Sequence, residues 1–287
     1  MNDIRVWPNG KKVAVSTTVM FETYSDGVAP SYSVQTSSLK HGTPDHAAMA
    51  WVTYGGRVGV WRIVRLLDEL KIKGTFFINA RCAEQYPEAV KQIARSGHDI
   101  GAHGYTQDRL LAYQSPGEQE ATIRDCVGAL EACSGAKITG WVSPVLAFTP
   151  ETVDCIAKCG LRWTSDVTYL DLPHRIHTRS GTIAAIPTSD FSDNRVMKAS
   201  PRGLLEAHLG TLQYLRECEG MSLMTLVFHC QFGGRPMMSA VIRELLQTIA
   251  RYDDVWFATH HELAEWAFAA KSDECSYRER FFGGRPG

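Results

Sequence analysis

Residues 12–22, KVAVSTTVMFE, are followed by residues 56–73, GRVGVWRIVRLLDELKIK, and then by residues 74–80, GTFFINA. The first and third stretches are near-continuous apolar runs rich in Val, Phe and Thr, the pattern of strands buried on both faces. The second repeats apolar residues at helical spacing and carries its charges on the other face. Strand, helix, strand with both strands buried predicts a parallel pair joined by a crossover helix. Residues 98–104 (HDIGAHG), 137–144 (KITGWVSP) and 221–230 (MSLMTLVFHC) repeat the strand pattern. Between them, residues 86–97, 115–135, 149–160 and 200–220 read as helices. Several of these start at Ser or Thr followed by Pro and stop at Gly, as capping chemistry requires. Residues 239–268 add a helix, a strand and a final helix.

About seven such units with no second composition regime predict an α/β fold, a single domain over residues 1–287 built as a closed or nearly closed barrel. Two stretches fall outside the alternation. A long loop is expected at about 24–56, polar and punctuated by Gly and Pro; loops of that length are functional, disordered or oligomer contacts. A C-terminal tail at about 272–287, SDECSYRERFFGGRPG, mixes charge with two Phe and is expected to dock on the core or on a neighbouring subunit.

The 287 residues are 44% hydrophobic and carry a formal net charge of −1, without a long basic run. That excludes an electrostatic footprint for nucleic acid or for an anionic membrane surface. The opening MNDIRVWPNGKK has no basic region leading into an apolar one, and no stretch reads as a membrane span, so a cytoplasmic protein is expected. The 8 cysteines are scattered without a C-x-x-C pair. Cys155 and Cys159 share a helix face, as reduced thiols rather than a metal knuckle.

Chemistry in such barrels gathers where strands end. Glu22 closes the first strand, His103 follows HDIGA, Trp141 and Ser143 follow KITG, Asp166 lies in RWTSDVTYLDLP, and His229 closes LVFHC. A Glu and two His there can serve as base, orienting group and acid. Each also has a plainer reading: a loop charge for Glu22, a satisfied buried ring for His229, and packing for Arg57, Trp61 and Arg62 at a helix start. His98 reads as a structural histidine tying a turn to the barrel. His103 begins an H-x-x-x-H spacing whose second position holds Gln107.

Taken together these stretches resemble the polysaccharide deacetylase superfamily over nearly the whole chain. The resemblance implies a distorted (β/α)7 barrel of the polysaccharide deacetylase type. In that superfamily the first strand ends in T-F-D-D-G, whose first Asp is the base and whose second binds metal; H-x-x-x-H supplies two metal ligands, and a late His is the acid. Laid over this chain, the resemblance puts Glu22 at the base and His229 at the acid. Thr23 and Gln107 then replace two expected ligands, and His103 is the one retained. Residues 53–70 (TYGGRVGVWRIVRLLDEL), 162–173, 185–197 (AIPTSDFSDNRVM) and 229–236 (HCQFGGRP) are similar to the cytoplasmic, metal-independent allantoinase and cyclic imide hydrolase-like branch. That branch implies a homo-oligomer.

The expectation is therefore a hydrolase of carbon–nitrogen amide bonds that opens a small cyclic imide or ureide with Glu22 and His229 as base and acid, assisted by His103, and with no cofactor. Gln107, Trp141, Arg57, Asp190 and Asn194 are candidates to bind this small-molecule substrate. Allantoinases carry Glu-Glu where this chain has Glu22-Thr23, so the identity of the ring stays open. One alternative is a metal-dependent N-deacetylase of a small N-acyl or sugar substrate. It would hold a divalent ion such as zinc at partial occupancy, with His41, Asp45 or His46 from the long loop completing the site. The other is an inactive binding or scaffold relative.

Overall fold

The computed structural model describes residues 6–30, 32–36, 38–196 and 200–282. The first half of the chain runs β1 (Val13–Phe21), α1 (His46–Tyr54), α2 (Val60–Leu70), β2 (Thr75–Ile78), α3 (Ala80–Gln85), α4 (Pro87–Arg95), β3 (Asp99–Ala102) and α5 (Pro116–Ser134). It continues with β4 (Gly140–Trp141), α6 (Thr152–Lys158), β5 (Trp163–Thr164), β6 (His174–Thr178) and β7 (Gly181–Ala185). The remainder is α7 (Asp193–Val196), α8 (Arg202–Tyr214), β8 (Ser222–His229), α9 (Pro236–Ile249), β9 (Val255–Phe257), α10 (His260–Ala269) and α11 (Tyr277–Phe282).

Every residue of β1 is buried, because both of its edges are paired and both faces covered. β8 runs along one edge over Val13–Met20. β2 takes Thr18–Phe21 and β9 takes Val13–Val15 on the other edge. Side chains alternate as a strand demands. Val13, Val15, Val19 and Phe21 join the large core beneath the helices, whereas Ala14 and Met20 join an inner cluster with Trp7, Phe77 and Trp163. The same alternation carries Glu22 to the inner side, one step beyond Met20. On β8 it carries His229 there beyond Val227, and on β3 it carries His103 there beyond Gly101. Gly101 has no room for a side chain, since a Cβ would meet the rings of Phe77 and Trp163.

The path β7-β5-β4-β3-β2-β1-β8 is parallel throughout, with β6 antiparallel on the outside of β7. The sheet curls into a half-barrel with helices packed on it, the fold class the sequence implied. Its two ends approach each other where a Ser192–Val227 bridge and a 2.9 Å bond from Thr225 Oγ1 to the Pro187 carbonyl span the gap.

Two local expectations change, and a hairpin and a tail helix are added. The stretch at 24–56 contains α1, whose N-terminus is capped by Asp45 accepting from the Ala48 N–H. KITGWVSP shrinks to the two-residue β4, and HRIHTRSGTIAA forms a hairpin that its His and Arg content concealed. The tail carries α11, docked by Tyr277 OH on Glu219 and by Arg280 on the Met221 carbonyl; residues 283–287 lie outside the described residues.

Candidate active site

The inner ends of β1, β3 and β8 open into a cavity of about 340 Å³ lined by Glu22, His103, Gln107 and His229. Three of these are the strand-end residues singled out in the sequence. Glu22 Oε1 lies 3.7 Å from His103 Nε2 and 4.0 Å from His229 Nε2. Its other oxygen accepts from Gln231 Nε2 at 2.7 Å and from Tyr32 OH at 3.2 Å. Burial works to raise the Glu22 pKa, but the charge of His229, His103 and the Gln231 amide together hold it below its ordinary 4.5.

His229 leans the opposite way. Its Nδ1–H donates to Asp193 Oδ1 at 2.6 Å, and its backbone N–H donates to Asp193 Oδ2 at 2.8 Å. Burial works against its charge, yet Asp193 and Glu22 lift its pKa above the ordinary 6.5. With Nδ1 engaged by a carboxylate, the protonated ring aims Nε2–H at the cavity and at Glu22. A carboxyl group pushed toward its anion and an imidazole pushed toward its cation thus face one space, the separation of proton affinities on which acid–base catalysis depends.

His103 is fixed differently. Its Nδ1–H donates to the Val142 carbonyl at 2.8 Å, and Nε2 is buried without a hydrogen-bond partner. So held, the ring turns Nε2 toward the cavity and Glu22, the one ring atom left for water or substrate. Asn79, at the end of β2, braces this side: Oδ1 accepts from the Thr23 N–H at 2.9 Å and Nδ2 donates to the His103 carbonyl. Gln107 donates its backbone N–H to the Thr23 carbonyl, and its Oε1 is buried without a partner. Thr23 Oγ1 lies beside the Cys82 thiol and otherwise lacks a hydrogen-bond partner.

Thr23, His103 and Gln107 are the residues that the resemblance puts at the superfamily's metal positions. Here they offer one imidazole, one hydroxyl and one amide oxygen, whereas a catalytic zinc site takes three strong nitrogen, sulfur or carboxylate donors. Among the described residues, no group of three or more His, Cys, Asp or Glu is placed to hold a metal ion. His41 and His46 point to solvent, and Asp45 caps α1. The residues present do not fit the superfamily's metal.

Of the expected binding residues, Gln107, Asp190 and Asn194 line the cavity. Trp141 does not: it is fully buried in the core, its Nε1–H donating to Ser143 Oγ at 3.0 Å. That serine also donates to Asp166, whose pKa burial raises to about 6. Arg57 lines a separate groove with Trp51, Tyr54 and Arg235. The apolar wall comes instead from Met20, Val142, Val145, Leu146 and Val227. Val145 and Leu146 have φ of 48° and 55°, a left-handed stretch that β-branched residues rarely adopt.

The specific YGGRVGVWR run proves to be a clamp behind the site. Arg62 bonds Tyr54 OH at 2.6 Å and the Gly234 carbonyl, while the Arg235 guanidinium stacks 3.7 Å over the Tyr54 ring. A Cβ on Gly59 would overlap the Cys230 carbonyl. The run and HCQFGGRP therefore hold each other, fixing the segment that presents His229 and Gln231. Asp193, Gln231 and Tyr32 were not identified in these roles from sequence. Gln231 sits two residues after His229, which is its only local signal.

A family model described as polysaccharide deacetylase matches residues 43–164, a span that includes His103 and Gln107 but neither Glu22 nor His229. The peptidoglycan deacetylase of Helicobacter pylori is 19% identical over 248 residues, covering 74% of this chain and 84% of that protein. A solved structure described as a putative polysaccharide deacetylase from Mycobacterium smegmatis is 25% identical with a TM-score of 0.79, covering 99% of this chain and 97% of that one. Another, described as Puue allantoinase, is 22% identical with a TM-score of 0.81 and covers 92% of each. The family model and the solved structures support the polysaccharide deacetylase superfamily. Its deacetylases are hydrolases of C–N amide bonds. The likeness to the allantoinase shows a shared fold.

Proposed function

We propose that the chain hydrolyses a C–N bond in a small cyclic imide or ureide, with Glu22 as base, His229 as acid and no metal. The observation that carries this reading is Glu22 Oε1 lying 4.0 Å from His229 Nε2 while the Asp193 carboxylate accepts from His229 Nδ1. Glu22 takes a proton from water, the water attacks the ring carbonyl, and His229 Nε2–H protonates the departing nitrogen. A carboxylate whose pKa is lowered is a weak base. That favours a substrate whose carbonyl is already electrophilic. In an imide or ureide the shared nitrogen is stabilised by a second carbonyl, both in the ring and as it departs; an N-acetyl sugar offers neither help. The cavity of about 340 Å³ matches a single small ring, at the low end of the ~300–1,000 Å³ usual for small-molecule sites.

The Gln107 amide is the neutral donor available to the carbonyl oxygen, and His103 Nε2 accepts from the water or a ring N–H. A cytoplasmic location accompanies this reading, supported by eight unpaired cysteines; among the described residues no helix is long and apolar enough to cross a membrane. The test is a panel of succinimide, hydantoin, allantoin and an N-acetylglucosamine oligomer, each assayed with and without chelator. Opening of a ring despite chelator is expected. Chelator-sensitive release of acetate from the oligomer alone would replace this reading with a metal-dependent deacetylase, for which the free His103 Nε2 is the one favouring observation.

A further inference from the structure

The segment between β7 and α8 gives the cavity a second character that the acid–base pair does not use. Asp190, Ser192, Asn194 and Arg195 all line it there, so this part of the wall is polar while the 142–146 part is apolar. Arg195 sits at the rim, and among the described residues its side chain has no ion pair and no hydrogen bond. Arg162, Arg202, Arg216 and Arg243 each lie against a carboxylate. Asn194 precedes it on α7 and lines the same cavity: the Ser192 hydroxyl donates to Asn194 Oδ1 at 2.5 Å, which leaves the amide N–H groups as its unused polarity. Asp190 belongs to a rim shared with a neighbouring 570 Å³ depression lined by Phe191 and His208, so its charge is not confined to this cavity.

We propose that Arg195 and the Asn194 amide recognise a carboxylate carried by the substrate, which makes the substrate class an anionic cyclic imide or ureide. The proposal rests on the ring-opening reading above and narrows it. Guanidinium and amide N–H groups together form the fork that a carboxylate accepts in two places. The charge balance of the site asks for the same partner. Arg195 opposes the protonation of His229, the proton the acid must hold. An anion bound at Arg195 cancels that opposition, so a charged substrate favours the reactive form of the acid that serves it. A neutral ring does not.

The probes are hydantoin and hydantoin-5-acetate, which share a ring and differ in one carboxylate. Their affinities are measured by calorimetry on Glu22→Gln protein, so that binding is read without turnover. The acid is expected to bind roughly tenfold or more tightly than the neutral ring, the scale of a charge-assisted hydrogen bond. Arg195→Met in the same background brings that ratio to about one, Arg195→Lys restores part of it, and raising the ionic strength shrinks it. Equal affinities for the two rings, or a ratio unchanged by Arg195→Met, would overturn the assignment. Turnover of both rings by the unsubstituted chain is scored separately. Selective binding without turnover keeps the carboxylate site and removes the ring-opening reaction.

Discussion

The two sides of the cavity are built to different standards of hydrogen bonding. Around Glu22 and His229, one carboxylate oxygen, the Nδ1 of the ring and the His229 main-chain N–H are hydrogen-bonded, with partners supplied by Gln231, Tyr32 and Asp193. Around Thr23, His103 and Gln107 the main chain is braced, yet a hydroxyl, a ring nitrogen and an amide oxygen are buried with no hydrogen-bond partner. Leaving a buried polar atom unpaired costs about 1–3 kcal/mol. Two of these atoms, His103 Nε2 and Gln107 Oε1, belong to residues that line the cavity, where a water molecule or a polar ligand can complete them. In the proposed reaction the first side moves the protons and the second holds what receives them.

The largest effect that would break this contrast falls on the paired side. Glu22→Gln keeps the shape and removes the base, so kcat is expected to fall by about 10²–10⁴ while the circular dichroism spectrum is unchanged. A scaffold protein would not register the change in any activity.

The pH profile gives the next test. Glu22 must be ionised, and its pKa lies below 4.5, so kcat/KM rises as pH increases through that value. His229 must be protonated, and its pKa lies above 6.5, so kcat/KM falls as pH passes above that value. The expected bell therefore has a plateau that includes pH 4.5–6.5, bounded by the two shifted values. Asp193→Asn removes the charge that holds the His229 proton. It should lower kcat by about 10–100-fold and move the alkaline limb to lower pH. An alkaline limb that stays in place would show that His229 is not the acid.

On the unpaired side, Thr23→Asp with Gln107→His supplies the strong donors that are missing. The double variant is expected to retain one divalent ion per chain through dialysis, and the unsubstituted chain none, by elemental analysis. The smallest effect is expected behind the site. Gly59→Ala forces a methyl onto the Cys230 carbonyl and should lower stability by about 1–3 kcal/mol, read as a lower Tm. Because Cys230 follows His229 directly, the same change should lower kcat more than it raises KM.

The sequence made strands legible by their apolar runs and not by their length. β1, β2, β3 and β8 are such runs; β4 was read longer than its two residues, and the two-residue β5 and the polar β6–β7 hairpin carry no run to read. Glu22, His103 and His229 were readable because a strand end is a fixed address and alternation settles which face each takes. The role of Asp193 was not legible, since nothing local says that the start of α7, 36 residues away in the chain, delivers it to His229. Gln231 and Tyr32 reach Glu22 from separations of 209 and 10 residues, through loops with no periodicity to read. Trp141 was misread for the opposite reason: its strand-end position suggested the cavity, but odd and even positions on β4 face different ways, and it faces the core. The YGGRVGVWR run, part of the resemblance, brings two backbones into contact at Gly59 and Gly234.

The central claim is that the Glu22–His229 pair works without a metal ion. Its most direct test is the pH dependence of hydantoin or succinimide opening by protein treated with chelator and shown metal-free by elemental analysis. Full activity with a bell-shaped profile is predicted. Loss of activity on chelation, restored by one equivalent of zinc, would contradict it.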